Sequence, residues 1–149
     1  MKQRMELKKI EPAAYKAMFE LENYVNKSGL DKKIISLIKI RASQINGCAF
    51  CIDMHTKHAR KDGETEQRIY ALNAWRETPF FTPEESAVLN LTEAITLISE
   101  NHVPDELYEE VSHYFSSIEI AKILMTIVTI NAWNRIVITT RMVPGTYQV

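Results

Sequence analysis

The stretch from Glu119 to Met142 is the sequence feature that most limits how this chain can fold. It reads EIAKILMTIVTINAWNRIVITTRM, and its apolar residues cover most faces of a helix. A helix of this kind must be surrounded by other elements, at the centre of a helical bundle or in a subunit interface. Charged residues and two asparagines are spread through the stretch, and such groups are costly in lipid, so we expect no membrane span.

The rest of the chain also carries helical patterns, and its glycines and prolines fall between them. Helices are predicted between residues 12 and 29, 31 and 46, 48 and 62, 64 and 75, 82 and 98, 104 and 115, and from 116 onward. Thr82 and Ser116 each precede a glutamate by three residues, which is the pattern of a capping box. These features predict an all-α single domain over residues 1–149, a helical bundle of about six to seven helices.

The net charge and the amino-terminal residues give information about binding partners and location. The chain has 18 basic and 19 acidic residues, for a net charge of −1. This balance gives no general attraction to nucleic acid or to an anionic membrane. The amino-terminal residues lack the apolar run and cleavage site of a secretory signal, so we expect a cytoplasmic protein.

The two cysteines of the chain, Cys48 and Cys51, lie in the segment NGCAFCIDMH, with His55 four residues after the second. Three interpretations are open. With His58, the three residues form a zinc ligand set, although ligands on one continuous helix are too far apart for a tetrahedral site. As buried residues, the cysteines are small apolar side chains and His55 is a core histidine. In the third interpretation, Cys48 and Cys51 are a redox pair that can close as a disulfide, with His55 beside them.

Helical geometry favours the redox interpretation. Residues three apart on a helix have Cα atoms about 5 Å apart, which is within the range that a disulfide needs. Cys48 follows Asn46 and Gly47 at the start of a helix, where free backbone N–H groups favour a thiolate. His55 lies one turn beyond Cys51 and is expected to take or deliver a proton near neutral pH.

These residues resemble the carboxymuconolactone decarboxylase superfamily, and within it the alkyl hydroperoxidase D branch, here called AhpD-like. The signature of that branch is a glutamate, eleven residues, then Cys-x-x-Cys-x-x-x-His. Cys48, Cys51 and His55 have this spacing, and the likeness extends over residues 15–143, with its motif core at about 30–80. The glutamate of the signature is replaced by Ser36, which cannot act as a base near pH 7.

The resemblance implies a fold, an activity and partners. The fold is all-helical, assembled as a homotrimer or hexamer, and the activity is thiol-dependent reduction of peroxides. Cys51 would attack the peroxide, Cys48 would resolve the sulfenic acid as a disulfide, and His55 would relay the proton. A dithiol such as a lipoyl protein would restore the thiols, and we expect no cofactor or metal. With Ser36 in the relay position, the activity is expected to be weak.

Two other functions stay open, and one residue cluster has no assigned role. The chain could be a non-catalytic or redox-sensing helical oligomer, or an enzyme with decarboxylase-type chemistry, although decarboxylases of the family do not rely on a cysteine pair. Trp133, Asn131, Asn134 and Arg135 are candidates for the lining of the cysteine pocket or for an interface, with packing as the default role.

Overall fold

A computed structural model describes residues 2–149, with only the backbone of Asn101 included. Its elements are α1 (Leu7–Ile10), α2 (Pro12–Lys27), α3 (Lys32–Asn46), α4 (Ala49–Lys61), α5 (Glu66–Ala71), the 3-10 helix η1 (Leu72–Glu77), α6 (Pro83–Thr96), α7 (Ile98–Asn101), α8 (Asp105–Tyr114) and α9 (Ser117–Thr140). The prediction of an all-α fold is confirmed. The helix count within the described residues exceeds the predicted six to seven because α1 and α7 are single turns.

Short-range signals set the helix ends where the sequence predicts them. Thr82 and Ser116 both form complete capping boxes, at the start of α6 and of α9. Asp31 caps α3 by accepting a hydrogen bond from the backbone of Lys33. Each cap satisfies an N–H group that has no partner within its own helix, so the cap fixes where that helix starts. One boundary differs from the prediction. Helix α5 ends at Ala71, and the chain continues as η1, which has a kink at Ala74.

Helix α9 forms the centre of the bundle, as its apolar sequence predicts. It packs against α2, α3, α4, α6 and α8. Ile123, Ile127 and Ile130 are fully buried along it. By length and composition, α9 is also the one helix among the described residues that could cross a membrane. A core helix passes the same test, and the burial of α9 against five others accounts for its apolar character.

Helix α3 is the second central element, and it positions the cysteine segment. It contacts α4, α6 and α9, and Leu37, Ile38 and Ile40 are buried on it. Because α3 and α4 are joined by Gly47 and Cys48 alone, the start of α4 is held against α3 and α9. The cysteine pair therefore lies inside the bundle.

Candidate redox site

The turn between α3 and α4 fixes the position of Cys48. Gly47 has a φ of 68° and ends α3 in the left-handed conformation. Glycine adopts this conformation without the steric cost that a Cβ brings. The backbone N–H of Cys48 then donates to the carbonyl of Ser43 at 3.0 Å, and Cys48 becomes the N-cap residue of α4.

Both cysteines are free thiols, and each is only 1% exposed. They belong to the main apolar core, together with residues of α3 and α9 such as Ile38 and Ile127. The two thiols influence each other's acidity. Their spacing at the first turn of α4 is compatible with the Cα separation that a disulfide needs.

The two thiols have different acidities. The hydrogen bond from Cys51 lowers the pKa of Cys48, with smaller contributions from the Cys51 backbone and the Asn134 side chain, while burial opposes them. The same hydrogen bond, together with burial and the nearby charge of Cys48, raises the pKa of Cys51. Of the two thiols, Cys48 is therefore the more acidic.

A buried amide cluster joins the end of α3 to α9. Asn134 of α9 is fully buried, and its Nδ2 donates to Ser43 Oγ at 3.0 Å. Asn46 Nδ2 donates to Asn131 Oδ1 at 3.0 Å and to Asn134 Oδ1 at 2.9 Å. Arg135 donates to Asn131 Oδ1 at 3.0 Å. Three polar residues singled out on the last helix are thus linked to Asn46, two residues before Cys48.

Trp133, the fourth candidate on that helix, faces elsewhere. Its ring packs edge-on against Tyr15 and Phe19 of α2, at centroid distances of 5.9 and 5.6 Å. Ser43 was not among the candidates predicted from the sequence, and Asn46 was predicted only as a helix stop. The signal for Asn46 was weak, because an asparagine before glycine is typical of a helix end.

His55 and Ser36 meet at a separate cavity, which we call the polar cavity. Its volume is about 380 Å³. It is lined by residues of α2, α3 and α4 and by Asp62, the residue that follows α4. The lining residues are Glu22, Asn26, Lys32, Ile35, Ser36, Lys39, His55, His58 and Asp62. The structure thus brings together the histidine and the relay position that the resemblance assigns, although neither cysteine is among the lining residues.

A buried ion pair forms the far side of the polar cavity. Lys39 Nζ contacts Glu22 Oε1, and the two side chains are 6% and 19% exposed. Desolvation, then the charges of Lys39 and His58, lower the pKa of His55 to about 3. The sequence led us to expect that His55 titrates near neutral pH, but burial and the Lys39 charge hold its pKa well below that range.

Cys48 lies at a second opening, which we call the apolar groove. Its volume is about 240 Å³. It is lined by the start of α4 and by the end of α9 with the segment that follows: Gly47, Cys48, Ala49, Phe50, Val137, Ile138, Arg141, Met142 and Pro144. Cys48 is the only titratable thiol of this groove, and Arg141 supplies its one cationic side chain.

The carboxyl-terminal segment is fastened along α4. Tyr147 Oη lies 2.6 Å from His58 Nε2, and the Tyr147 carbonyl accepts from Lys57 at 3.0 Å. The N–H of Gly145 donates to Asp53 at 3.1 Å. His58 is thereby paired with a tyrosine, and the cysteines lie in the core. Within residues 2–149, no group of three or more His, Cys, Asp or Glu side chains could hold a metal ion, which argues against the zinc interpretation.

The model of the carboxymuconolactone decarboxylase family matches residues 12–94 of the chain. That segment includes the cysteine pair, the polar cavity and the whole of α2 to α5. The chain belongs to the carboxymuconolactone decarboxylase family. Within the family it is AhpD-like, since it is 38% identical over 48 residues to the alkyl hydroperoxide reductase AhpD of Corynebacterium kroppenstedtii, covering 32% of this chain and 28% of that protein.

Longer matches within the family concern proteins without an assigned activity. The chain is 51% identical over 136 residues to the uncharacterized protein YdfG of Bacillus subtilis, covering 91% of this chain and 92% of YdfG. A crystal structure of an Agrobacterium tumefaciens protein of unknown function, ATU0492, superposes with a TM-score of 0.95 at 46% identity. The match covers 98% of this chain and 100% of ATU0492, whose suggested role is AhpD-type antioxidant defence.

The fold extends to enzymes of other chemistry. The debrominase Bmp8 superposes with a TM-score of 0.81 at 18% identity, covering 91% of this chain and 73% of Bmp8. At that identity the likeness shows a common fold. The activity of this chain must therefore be argued from its own residues.

Proposed function

We propose that this AhpD-like protein is a thiol-dependent peroxidase that reduces peroxides with the Cys48 and Cys51 pair. The observation that carries the proposal is the pair of buried free thiols at the first turn of α4, one with a lowered and one with a raised pKa. A thiolate is the nucleophile in peroxide reduction, and a neighbouring thiol traps the sulfenic acid that results.

The pair itself can supply the first proton movement. Once Cys48, the more acidic thiol, is deprotonated, it takes the proton of Cys51, so Cys51 becomes the attacking thiolate. The Cys51 sulfur bonds to one peroxide oxygen, the O–O bond breaks, and the leaving alkoxide takes the proton now on Cys48. The Cys48 thiolate then displaces hydroxide from the Cys51 sulfenic acid, forming the disulfide, and a proton from the surroundings converts the hydroxide to water.

His55 and Ser36 have a supporting role in this scheme. A neutral His55 with a low pKa is a weak base, so it accepts the proton of a thiol poorly. Ser36 lines the same cavity but brings no negative charge that would raise the basicity of His55. We therefore propose a slow peroxidase whose histidine relay is incomplete.

Two electrons and two protons from a dithiol, such as a lipoyl protein, would restore both thiols. This cycle requires a reducing compartment, so we propose a cytoplasmic location. We also propose a homotrimer or hexamer, because Leu124, Val128 and Ile138 leave a half-exposed apolar stripe on α9. Light scattering on the purified protein tests this assembly, and a monomer at micromolar concentration contradicts it.

Intact-mass spectrometry after one equivalent of peroxide tests the proposed function. The wild type should lose about 2 Da as the disulfide forms. Cys48→Ser should keep an oxygen on Cys51, which peptide mapping locates, and Cys51→Ser serves as the matched variant. Oxygen on Cys48 in Cys51→Ser, with Cys51 inert in Cys48→Ser, would reverse the order of attack.

A non-catalytic or redox-sensing role is the second candidate. The observation that favours it is the burial of both thiols, each 1% exposed. Thiols that stay reduced with excess peroxide would support simple packing. A disulfide that forms without turnover in the presence of a dithiol would support sensing.

A further inference from the structure

Arg141 ends α9 at a position that favours glycine. The Arg141 N–H donates to the Ile138 carbonyl at 3.3 Å, and the Met142 N–H donates to the Val137 carbonyl at 3.2 Å. These two hydrogen bonds are those of a Schellman motif, in which the residue at the Arg141 position adopts the left-handed conformation. Arg141 has a φ of 56°. Because a Cβ makes this conformation unfavourable, the helix end alone does not account for an arginine here.

The guanidinium of Arg141 is available to a ligand of the apolar groove. Arg141 is exposed, and none of the ion pairs among the described residues includes it. No Asp or Glu is among the residues that line the groove. A guanidinium presents its N–H donors as a planar fork, which matches the two oxygens of a carboxylate. The groove therefore has a positive charge that no acidic side chain of its lining neutralises.

The rest of the apolar groove fits the apolar body of a small molecule. Val137 and Met142 form part of its wall, and both pack in the main apolar core. The chain beyond Met142 is held against α4, because the N–H of Gly145 donates to Asp53 at 3.1 Å. The walls are therefore preformed, as in most small-molecule sites. The groove volume of about 240 Å³ is about eight times the volume of one liquid water molecule, which suits a ligand of roughly eight to ten non-hydrogen atoms.

We propose that the apolar groove binds small organic molecules that carry a carboxylate, which pairs with Arg141 while the apolar body extends toward Cys48. The far end of the ligand then lies at the first turn of α4, which holds both cysteines. For the substrate class, this inference deepens the proposed function and rests on it. The preferred peroxide is an organic hydroperoxide with a carboxylate, which leaves as the hydroxy acid after the O–O bond breaks. Hydrogen peroxide offers neither the charge nor the apolar surface.

Alkylation of Cys48 tests this site without any peroxide. Iodoacetate and iodoacetamide are nearly equal in size, but only iodoacetate carries a carboxylate. Peptide mass spectrometry at neutral pH gives the rate constant of each reagent at Cys48. The ratio of the two cancels any change in the thiolate fraction, because the same thiolate attacks both reagents. In Arg141→Gln the ratio of iodoacetate to iodoacetamide should fall about fivefold, which is the effect of a partly exposed ion pair.

Arg4→Gln is the matched control for the loss of charge. Arg4 lies at the same end of α9, where its guanidinium donates to the Thr139 carbonyl at 3.4 Å, and it does not line the groove. Its ratio should stay near that of the wild type. Hexanoate should also protect Cys48 of the wild type from iodoacetamide, whereas acetate at the same concentration should not, because acetate lacks the apolar body.

Equal ratios in Arg141→Gln and the wild type would overturn the proposal, as would an equal fall in Arg4→Gln or equal protection by acetate and hexanoate. If Arg141→Gln does not fold, Arg141→Gly replaces it, because glycine adopts the left-handed conformation without steric cost. The expected ratio in a protein that consumes no peroxide would keep the carboxylate site and reject only the peroxidase. An active peroxidase with equal ratios would keep the proposed function and reject the carboxylate site.

Discussion

The polar cavity and the apolar groove lie at different parts of α4, and their chemistry differs. The polar cavity holds a histidine, a serine and a buried ion pair, whereas the groove has an apolar wall that reaches Cys48. Cys51 lines neither of them and lies in the core. The polar groups and the apolar wall are therefore separated along α4, and of the two openings only the groove has a cysteine in its lining.

The ion pair of Lys39 and Glu22 lines the polar cavity. Of the changes considered, Lys39→Met should have the largest effect on the stability of the protein. Removing the ammonium leaves the Glu22 carboxylate largely buried and without its cation. We expect a loss of about 3 kcal/mol in the free energy of unfolding, measured with urea. The double variant Glu22→Leu with Lys39→Met should recover most of this loss. A double variant as unstable as the single one would show that packing, and not the pair, stabilises this region.

Acid should destabilise the region of the polar cavity more than that of the apolar groove, because His55 lines the cavity and no histidine lines the groove. Its pKa is about 3 in the folded chain against an ordinary value near 6.5, so the unfolded chain binds its proton first as pH falls. Stability is then lost below pH 6.5, by up to about 1.4 kcal/mol per pH unit, or about 2 kcal/mol at pH 5.

Urea unfolding at several pH values measures this slope, and His55→Gln should reduce it. His58, whose pKa burial also lowers, contributes the remainder. Lys39 opposes a charge on both histidines, whereas Glu22 and Asp62 favour one on His58. Lys32 also lines the cavity. A slope that is the same in His55→Gln and the wild type would show that the His55 imidazole is solvated.

Ser36→Glu should test whether the polar cavity takes part in peroxide reduction. A carboxylate in the polar cavity would offset the Lys39 charge, raise the pKa of His55 and make it a better base. We expect peroxide consumption to rise about tenfold, which is below the range typical of general base catalysis because the sulfurs lie outside the cavity. Ser36→Gln serves as the control, because glutamine has nearly the same size as glutamate but carries no charge. An equal rate in all three proteins would remove His55 from the relay.

The groove should respond to charge more weakly than the cavity. Ile138→Glu places a carboxylate on the groove wall, at a residue that is 45% exposed, and should raise the pKa of Cys48. Alkylation of Cys48 by iodoacetamide at neutral pH should slow about fivefold, because the carboxylate is partly screened by water. Ile118→Glu is the matched control, since Ile118 lies at the far end of α9 and is 70% exposed. Equal slowing in both variants would mean that Cys48 is not reached through the groove.

Local signals account for what could be predicted. The capping boxes at Thr82 and Ser116, and the left-handed Gly47, act within one turn of chain, so the sequence specifies them directly. The placement of Cys48 and Cys51 at the first turn of α4 is local in the same sense, because residues three apart share a helix face. Ser36 and His55, to which the resemblance assigns one relay, line the same polar cavity.

The parts that were missed join distant segments. Glu22 reaches Lys39 from α2, and Tyr147 reaches His58 from the end of the chain. No spacing rule connects such residues, because their contact depends on how the helices pack. The low pKa of His55 was missed for the same reason, since it follows from desolvation and from Lys39.

The sequence by itself determined the helices, the all-α fold and a pair of thiols at the start of one helix, because these follow from hydrogen bonds and periodicity within a few residues. Only the tertiary structure decided the surroundings of those thiols and of His55. Both sulfurs are buried among residues of α3 and α9, and Lys39 of α3 meets Glu22 of α2 in the cavity that holds His55. These contacts join segments that are far apart in the chain, and helix packing alone brings them together.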